Sequence, residues 1–376
     1  MDFKLSEEQQ MLQDTAARLV RDAYSFEQRG RAAASAEGYS RAFWQQLGEL
    51  GLTAVSLPEA HGGFGGGVES LLVLTELGRG LCLEPYLQSV VHAGGLVAQL
   101  GDAAQQAHWL PRIASAEAQL AVALEEPQSH YRLHDVQTRA QNHDGQWQLN
   151  GRKAVVVGGH TADAILVSAR ISGEPRDEAG IGLFLVDPNQ AGVQRRVFPT
   201  VDGQTACELY LEGALGEPLG EPGNALPALH YQQGRAIAGQ CAEALGSLQE
   251  ACNLTLEYLK TRKQFGLPIG KFQVLQHRMV DMRSELEQAT SMAILAACVA
   301  DQADSTERSR TLAAAKFIVT RAARFVAEQA IQLHGGIGMT WEYVLAHHAK
   351  RLVMLSHQLG DDDYHLKAYA ALMDVA

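Results

Sequence analysis

No stretch of this chain stays apolar long enough to cross a bilayer as a helix, so no membrane partner is expected. Basic charge is scarce too: 31 Lys and Arg against 43 Asp and Glu leave a formal net charge of −12. That balance argues against nucleic acid or an anionic membrane surface as the main partner. The N-terminus carries Asp2, Glu7 and Glu8 where a signal peptide would need a basic stretch and an apolar core, so a cytoplasmic location is expected. Cysteine is sparse, odd in number and scattered (Cys82, Cys207, Cys241, Cys252, Cys298), with no C-x-x-C spacing. These thiols read as small buried apolar residues in a reducing compartment. His347, His348, His357 and His365 make no persuasive metal set, because adjacent histidines face different ways on a helix. There is no internal repeat and no low-complexity tract.

What is present is an ordinary globular composition, 46% apolar and 20% charged over 376 residues, long enough for two or three domains with a sizeable core. Three regions differ in pattern. Residues 1–118 read as a helical domain: Ser6 precedes Glu7 and Glu8 as an N-cap, and Leu12, Ala16, Leu19 and Val20 recur at helical spacing. The glycine-rich run His61 to Gly67 breaks this region before a further helix at about Glu69–Leu81. Residues 119–225 read as a compact antiparallel β domain. Strand-like runs fall at Gln146–Leu149, Lys153–Val157, Ala164–Ala169, Ile181–Val186, Val193–Val197 and Cys207–Leu211, with Asp144-Gly145 and Asn150-Gly151 as turn dipeptides. Residues 226–376 return to helix. Leu275, Met279, Met282, Leu286, Ala289, Ala293 and Ala296 alternate steps of four and three, the seam of a four-helix bundle, and stripes at 312–331 and 235–259 repeat it. The fold class is therefore α+β, with helices, a β domain and a helix bundle in that order.

Two segments stand out chemically. Arg262 to Gly266 places a guanidinium beside the aromatic ring of Phe265 at the end of one helical pattern. Gln332 to Gly338 places a glutamine and the pair Gly335 and Gly336, where backbone can approach a ligand closely, at the end of another. Arg262 alone would read as a cation complementing a helix C-terminus. A planar guanidinium also suits phosphate oxygens.

In this order and spacing the two segments resemble the nucleotide-binding segments of the acyl-CoA dehydrogenase flavoenzymes. The likeness extends over most of the chain. Phe43–Leu52 and Pro58–Gly63 look like the family's N-terminal helix-to-loop segment, and Glu125-Glu126-Pro127 looks like its Thr-Glu-Pro element. The resemblance implies FAD as cofactor, an acyl-CoA substrate, and electron-transfer flavoprotein as the electron acceptor. It implies an assembly of several chains, a homo-oligomer or a pairing with a related larger subunit. By residue, it implies that Arg262, Phe265, Gln273, Gln332, Gly335 and Gly336 contact the nucleotide end of the flavin, often from a neighbouring subunit. Glu125 would lie along the ring system, and Arg235 on the substrate side. His334, beside the glycines, reads as packing.

The chain departs from the family at several points. Glu125 stands where the family has threonine, Val155 and Val157 stand where it has Trp-x-Thr, and Ser129–His134 replaces a Gly-Ser-Asp. The family's glutamate base falls on Leu359, and its alternative location on Gly234. Asp361 is the nearest carboxylate and the candidate base. The run Asp361–Asp363 also reads as the N-cap of a last helix. The segment Gln358–His365 is similar to chains known as small subunits of pimeloyl-CoA dehydrogenases, whose relatives include partner subunits of heteromeric enzymes. Two readings follow: a dehydrogenase in its own right, or a partner subunit completing a shared site.

Overall fold

The computed structural model describes residues 4–373, with eleven α-helices and nine β-strands among them. The helices are α1 (Glu7–Ala23), α2 (Phe26–Ala33), α3 (Arg41–Glu49), α4 (Gly67–Arg79), α5 (Gly94–Leu100), α6 (Ala103–Ala114), α7 (Leu226–Thr261), α8 (Gln273–Val299), α9 (Thr306–His334), α10 (Val344–Leu355) and α11 (Asp362–Met373). The strands are β1 (Leu120–Ala123), β2 (Arg139–His143), β3 (Gln146–Val157), β4 (Ala164–Arg170), β5 (Ile181–Val186), β6 (Val193–Pro199), β7 (Thr205–Pro218), β8 (Lys263–Gln264) and β9 (Leu267–Pro268). The chain divides into two compact units: Met1–Gly30, Gly67–Cys82 and Ile237–Ala376 in one, Arg31–Gly66 and Leu83–Ala236 in the other.

The first unit is helical. Ser6 and Gln9 form a reciprocal capping box that starts α1 as the sequence pattern predicts. The bundle is built on α9, against which α8, α10 and α11 pack. On α8 the buried seam is Met282, Leu286, Ala289, Ala293 and Ala296, the spacing seen in the sequence; Leu275 and Met279, at its start, are only half-buried. Alanine at so many seam positions brings the helix axes close. Between α4 and α7 the approach is closer still. A methyl group on Gly78 would lie 2.0 Å from the Glu243 carbonyl oxygen, and one on Gly246 would lie 1.9 Å from that of Thr75.

The second unit holds α3, a π-helical turn (Leu87–Ala93), α5, α6, the first residues of α7 and a seven-stranded sheet. Strands β4, β2, β3, β7 and β5 pair in a ring, with β1 added beside β4 and β6 beside β7. Pairing is antiparallel at β2–β3, β3–β7, β4–β5, β5–β7 and β6–β7, and parallel at β1–β4 and β2–β4. Inside lies an apolar cluster that includes Leu149, Ile165, Val167, Phe184, Val186, Leu209 and Leu211.

Asp144 and Gly145, with φ of 53° and 89°, make the two-residue hairpin expected between β2 and β3. Asn150-Gly151 is not a turn. β3 runs straight through it with a register shift at Leu149/Asn150. The glycine is required for another reason: a Cβ at Gly151 would lie 2.6 Å from the Thr138 Cα.

Candidate functional site

In the helical unit, α7 ends at Thr261 and a tight hairpin follows. Phe265 (φ 53°) and Gly266 (φ 81°) turn β8 back into β9, and the Ile269 N–H donates to the Arg262 carbonyl at 2.8 Å. This hairpin holds the Arg262 side chain in solvent and leaves Phe265 88% exposed, with the ring of Phe272 edge-on at 6.1 Å. Gln273 is the first residue of α8 and is exposed.

The end of α9 comes to the same place. His334 is buried and stacks on Tyr258 of α7, with ring centroids 4.3 Å apart, one turn before Arg262. Its Nδ1–H donates to the Ala330 carbonyl at 2.8 Å, so the ring is a packing element, as the sequence reading had it. Gly335 then caps α9 at φ 67°, its N–H donating to Ile331. Around the Cβ directions of Gly335 and Gly336 no other described atom lies within 4 Å. Gln332, on the last turn of α9, is exposed. The Tyr258–His334 stack therefore joins two helix ends 72 residues apart in the chain, Arg262 and His334. It sets an exposed cation, an exposed ring and open glycine backbone at one end of the unit. That donor set fits a phosphate-bearing nucleotide cofactor.

The loop that would carry the family's base also lies in this unit, between α10 and α11. Leu359 is held at φ 57° and Gly360 at φ 99°. His365 Nε2–H donates to the Leu359 carbonyl at 2.8 Å, and a methyl group on Gly360 would meet that ring nitrogen. Buried Lys316 donates to the Leu355 carbonyl at 2.6 Å and to Gln240. Burial pushes the Lys316 ammonium down to about 8 and the His365 imidazole down to about 4. Asp361 Oδ1 accepts the Tyr364 N–H at 2.8 Å and so forms the N-cap of α11. Asp362 pairs with Arg324 at 3.2 Å. The acid run is thus a helix cap, and the cap falls on Asp361 itself. Gly234, the alternative base position, is buried inside α7.

In the β unit, Glu125-Glu126-Pro127 leaves β1. Glu126 is anchored: its Oε1 accepts Lys153 Nζ at 2.7 Å and the Thr138 N–H at 3.0 Å, and its Oε2 accepts the Gln137 N–H at 2.8 Å. Burial alone would raise the Glu126 carboxyl, but the Lys153 ammonium and these hydrogen bonds hold it below the usual range. Lys153 is fully buried and also donates to Ser168 Oγ at 3.0 Å. Sequence patterning gives Lys153 no role, since a lysine inside a strand run reads as solvated, and no local pattern ties it to Glu126, 27 residues earlier in the chain. The Glu125 carbonyl accepts the Ala154 N–H at 2.9 Å. Burial raises the Glu125 carboxyl. At this point β3 has a second register shift, and Val155 projects 46% exposed at φ 52°, a strained conformation for a β-branched residue.

Arg235, also in this unit, donates from Nη2 to the Ser56 carbonyl at 3.1 Å and from Nη1 to Gln232 Oε1 at 3.2 Å. No helix of the described residues is long and apolar enough to cross a membrane, and no group of His, Cys, Asp or Glu among them could hold a metal ion.

Three family models match the chain in order: "Acyl-CoA dehydrogenase, N-terminal domain" over residues 6–117, "middle domain" over 121–214 and "C-terminal domain" over 232–373. A probable acyl-CoA dehydrogenase of Bacillus subtilis, YngJ, is 29% identical over 358 residues, covering 91% of this chain and 92% of its own. Among solved structures, a variant of the Tcur3481-Tcur3483 steroid ACAD is 29% identical with a TM-score of 0.89, covering 98% of both chains. The ChsE4-ChsE5 complex of Mycobacterium tuberculosis is 25% identical with a TM-score of 0.89, covering all of both chains (100%).

Proposed function

Because this chain belongs to the acyl-CoA dehydrogenase family of flavin-dependent oxidoreductases, with FAD as cofactor, we propose that it serves the α,β-dehydrogenation of an acyl-CoA thioester in the cytoplasm, with electron-transfer flavoprotein as acceptor. The observation that carries the reading is the joint placement of the Arg262–Gly266 hairpin and the Gly335–Gly336 turn on the Tyr258–His334 stack. Arg262 supplies charge to the cofactor's phosphates, Phe265 a face for its nucleotide, and Gln332 and Gly335–Gly336 the polar contacts of a closely approaching backbone. Gln273 adds an amide at the start of α8. In the β unit, the backbone at Glu125 and the bulge at Val155 present main-chain groups to the ring system. Bound flavin supplies a hydride acceptor; the protein must align the acyl group and take the α-proton. Arg235 orients the substrate side, and Asp361 is the nearest carboxylate to the loop that holds the base elsewhere in the family. The division into domains 1–118, 119–225 and 226–376 goes with this reading. So does an assembly of several chains: Phe265, Leu267, Val274, Met339 and Trp341 are exposed around the nucleotide-binding end.

A second reading, a subunit that completes the site of a related larger chain, is favoured by one set of observations. Leu359 and Gly234 cannot accept a proton, and the Asp361 carboxylate is engaged as the α11 cap. The Tcur3481-Tcur3483 steroid ACAD and the ChsE4-ChsE5 complex, each named for two proteins, bear on the same reading. The two are separated by turnover of acyl-CoAs, pimeloyl-CoA included, by the purified chain and by its Asp361→Asn variant. Asparagine can still cap α11. Turnover lost in the variant with flavin retained assigns the base to Asp361. Turnover only after a partner chain is added establishes the subunit reading, and no turnover under either condition refutes both.

A further inference from the structure

The π-helical turn Leu87–Ala93 carries a group that neither reading uses. His92 is 7% exposed, and its Nε2 is buried with no hydrogen-bond partner among the described residues. A buried polar atom left unsatisfied costs stability, and π turns are rare and frequent at functional sites. One turn later the chain reaches Gly95. A methyl group there would lie 2.1 Å from Gln232 Oε1 and 2.9 Å from Arg235 Nη1. Gln232 in turn donates from Nε2 to Gln99 Oε1 at 2.9 Å. The histidine is therefore set within a turn of the polar chain Arg235–Gln232–Gln99, the substrate-side arginine among its members. Burial pulls the imidazole down to about 4, so at neutral pH it is uncharged, with one ring nitrogen a donor and the other an acceptor.

We propose that His92 is a specificity-determining residue: its buried imidazole makes a hydrogen bond with an oxygen substituent on the acyl group, so that the chain prefers acyl-CoAs bearing a hydroxyl or carboxylate over plain saturated ones. The inference rests on the acyl-CoA reading above. A structural histidine in a core would be satisfied by a neighbouring carbonyl, as His365 and His334 are in this molecule. His92 is left unsatisfied in a segment otherwise lined by Val90, Val91 and Ala93, where leucine would pack without that loss. A neutral imidazole can both give and receive a hydrogen bond, which matches a hydroxyl fully and a carboxylate through its N–H.

The test uses the FAD-loaded protein and calorimetric titration with three esters of one chain length: hexanoyl-CoA, 6-hydroxyhexanoyl-CoA and adipoyl-CoA. The expected result is binding of one oxygen-bearing ester about tenfold or more tighter than hexanoyl-CoA. The His92→Leu variant should lose that preference and His92→Gln should keep part of it. The hydroxyl and the carboxylate are told apart by which of the two esters gains. A second readout needs no ligand: Tm of His92→Leu should equal or exceed that of the parent protein, where a structural histidine would lower it. Equal binding of all three esters by the parent, an unchanged preference in His92→Leu, or a lowered Tm overturns the inference while leaving the acyl-CoA reading in place. No binding of any ester overturns that reading and this inference with it.

Discussion

At the scale of single residues, the nucleotide end depends on exposed groups and the fold on buried ones, so substitutions should separate them. Arg262 is exposed at the end of α7, and Arg262→Ala should leave stability within about 0.5 kcal/mol of the parent. It should nonetheless lower bound flavin severalfold, read from the absorbance ratio of the purified protein; full flavin retention would remove Arg262 from the site. His348 is the opposite case. Fully buried beside Ser247, its imidazole is pushed by burial from 6.5 to about 3. A histidine kept neutral by the fold gives stability that is present above pH 6.5 and is lost as pH falls towards 3, because the unfolded chain takes up a proton that the folded one refuses. The slope from this one group is at most about 1.4 kcal/mol per pH unit. Urea midpoints measured downwards from neutral pH should fall, and fall less steeply in His348→Gln. An identical slope in that variant would assign the acid sensitivity elsewhere. Leu359 is the residue on which the resemblance to the family, rather than any pattern in the chain, puts the proposed base position; leucine cannot hold a proton, and in the structure His365 donates to the Leu359 carbonyl.

At the scale of elements, what was legible followed periodicity. The α8 seam appears as buried Met282, Leu286 and the alanines because a 3.5-residue repeat admits one packing face. The Ser6 cap of α1 and the Asp144-Gly145 hairpin were equally readable, since both are set by local chemistry. Asn150-Gly151 misled for a related reason. The dipeptide is a turn signal, but here the glycine lets β3 pass close to Thr138, a tertiary demand that no local pattern carries. The same holds for Gly78 and Gly246, which look like ordinary helix-weakening glycines in sequence and prove to be the contact between α4 and α7. Gly246→Ala improves helix propensity, yet it should destabilise the protein by about 2 kcal/mol or more through overpacking, measured by urea denaturation. A stabilised variant would show that the two helices part easily. In the β unit, the Glu126–Lys153 pair was beyond sequence reading because its partners come from three separate segments: the β1 exit, β3 and the stretch leading into β2.

At the scale of the whole molecule, the order helix, sheet, bundle and the ordered motifs made fold and cofactor class legible before any coordinates. The chemistry of the base was not, because a carboxylate's role depends on what it touches. Asp361 illustrates the point: as a residue it is the nearest acid to the base position, and in the fold it is the cap of α11. We propose that this chain of the acyl-CoA dehydrogenase family keeps the cofactor end and departs from the family at the base. The measurement that tests this most directly is an anaerobic titration of the purified, FAD-loaded chain with acyl-CoAs while its flavin absorbance is recorded. Bleaching by an acyl-CoA is the expected result, by the chain alone or once a partner subunit completes the site. Flavin that stays oxidised with every ester and with the partner present would contradict it.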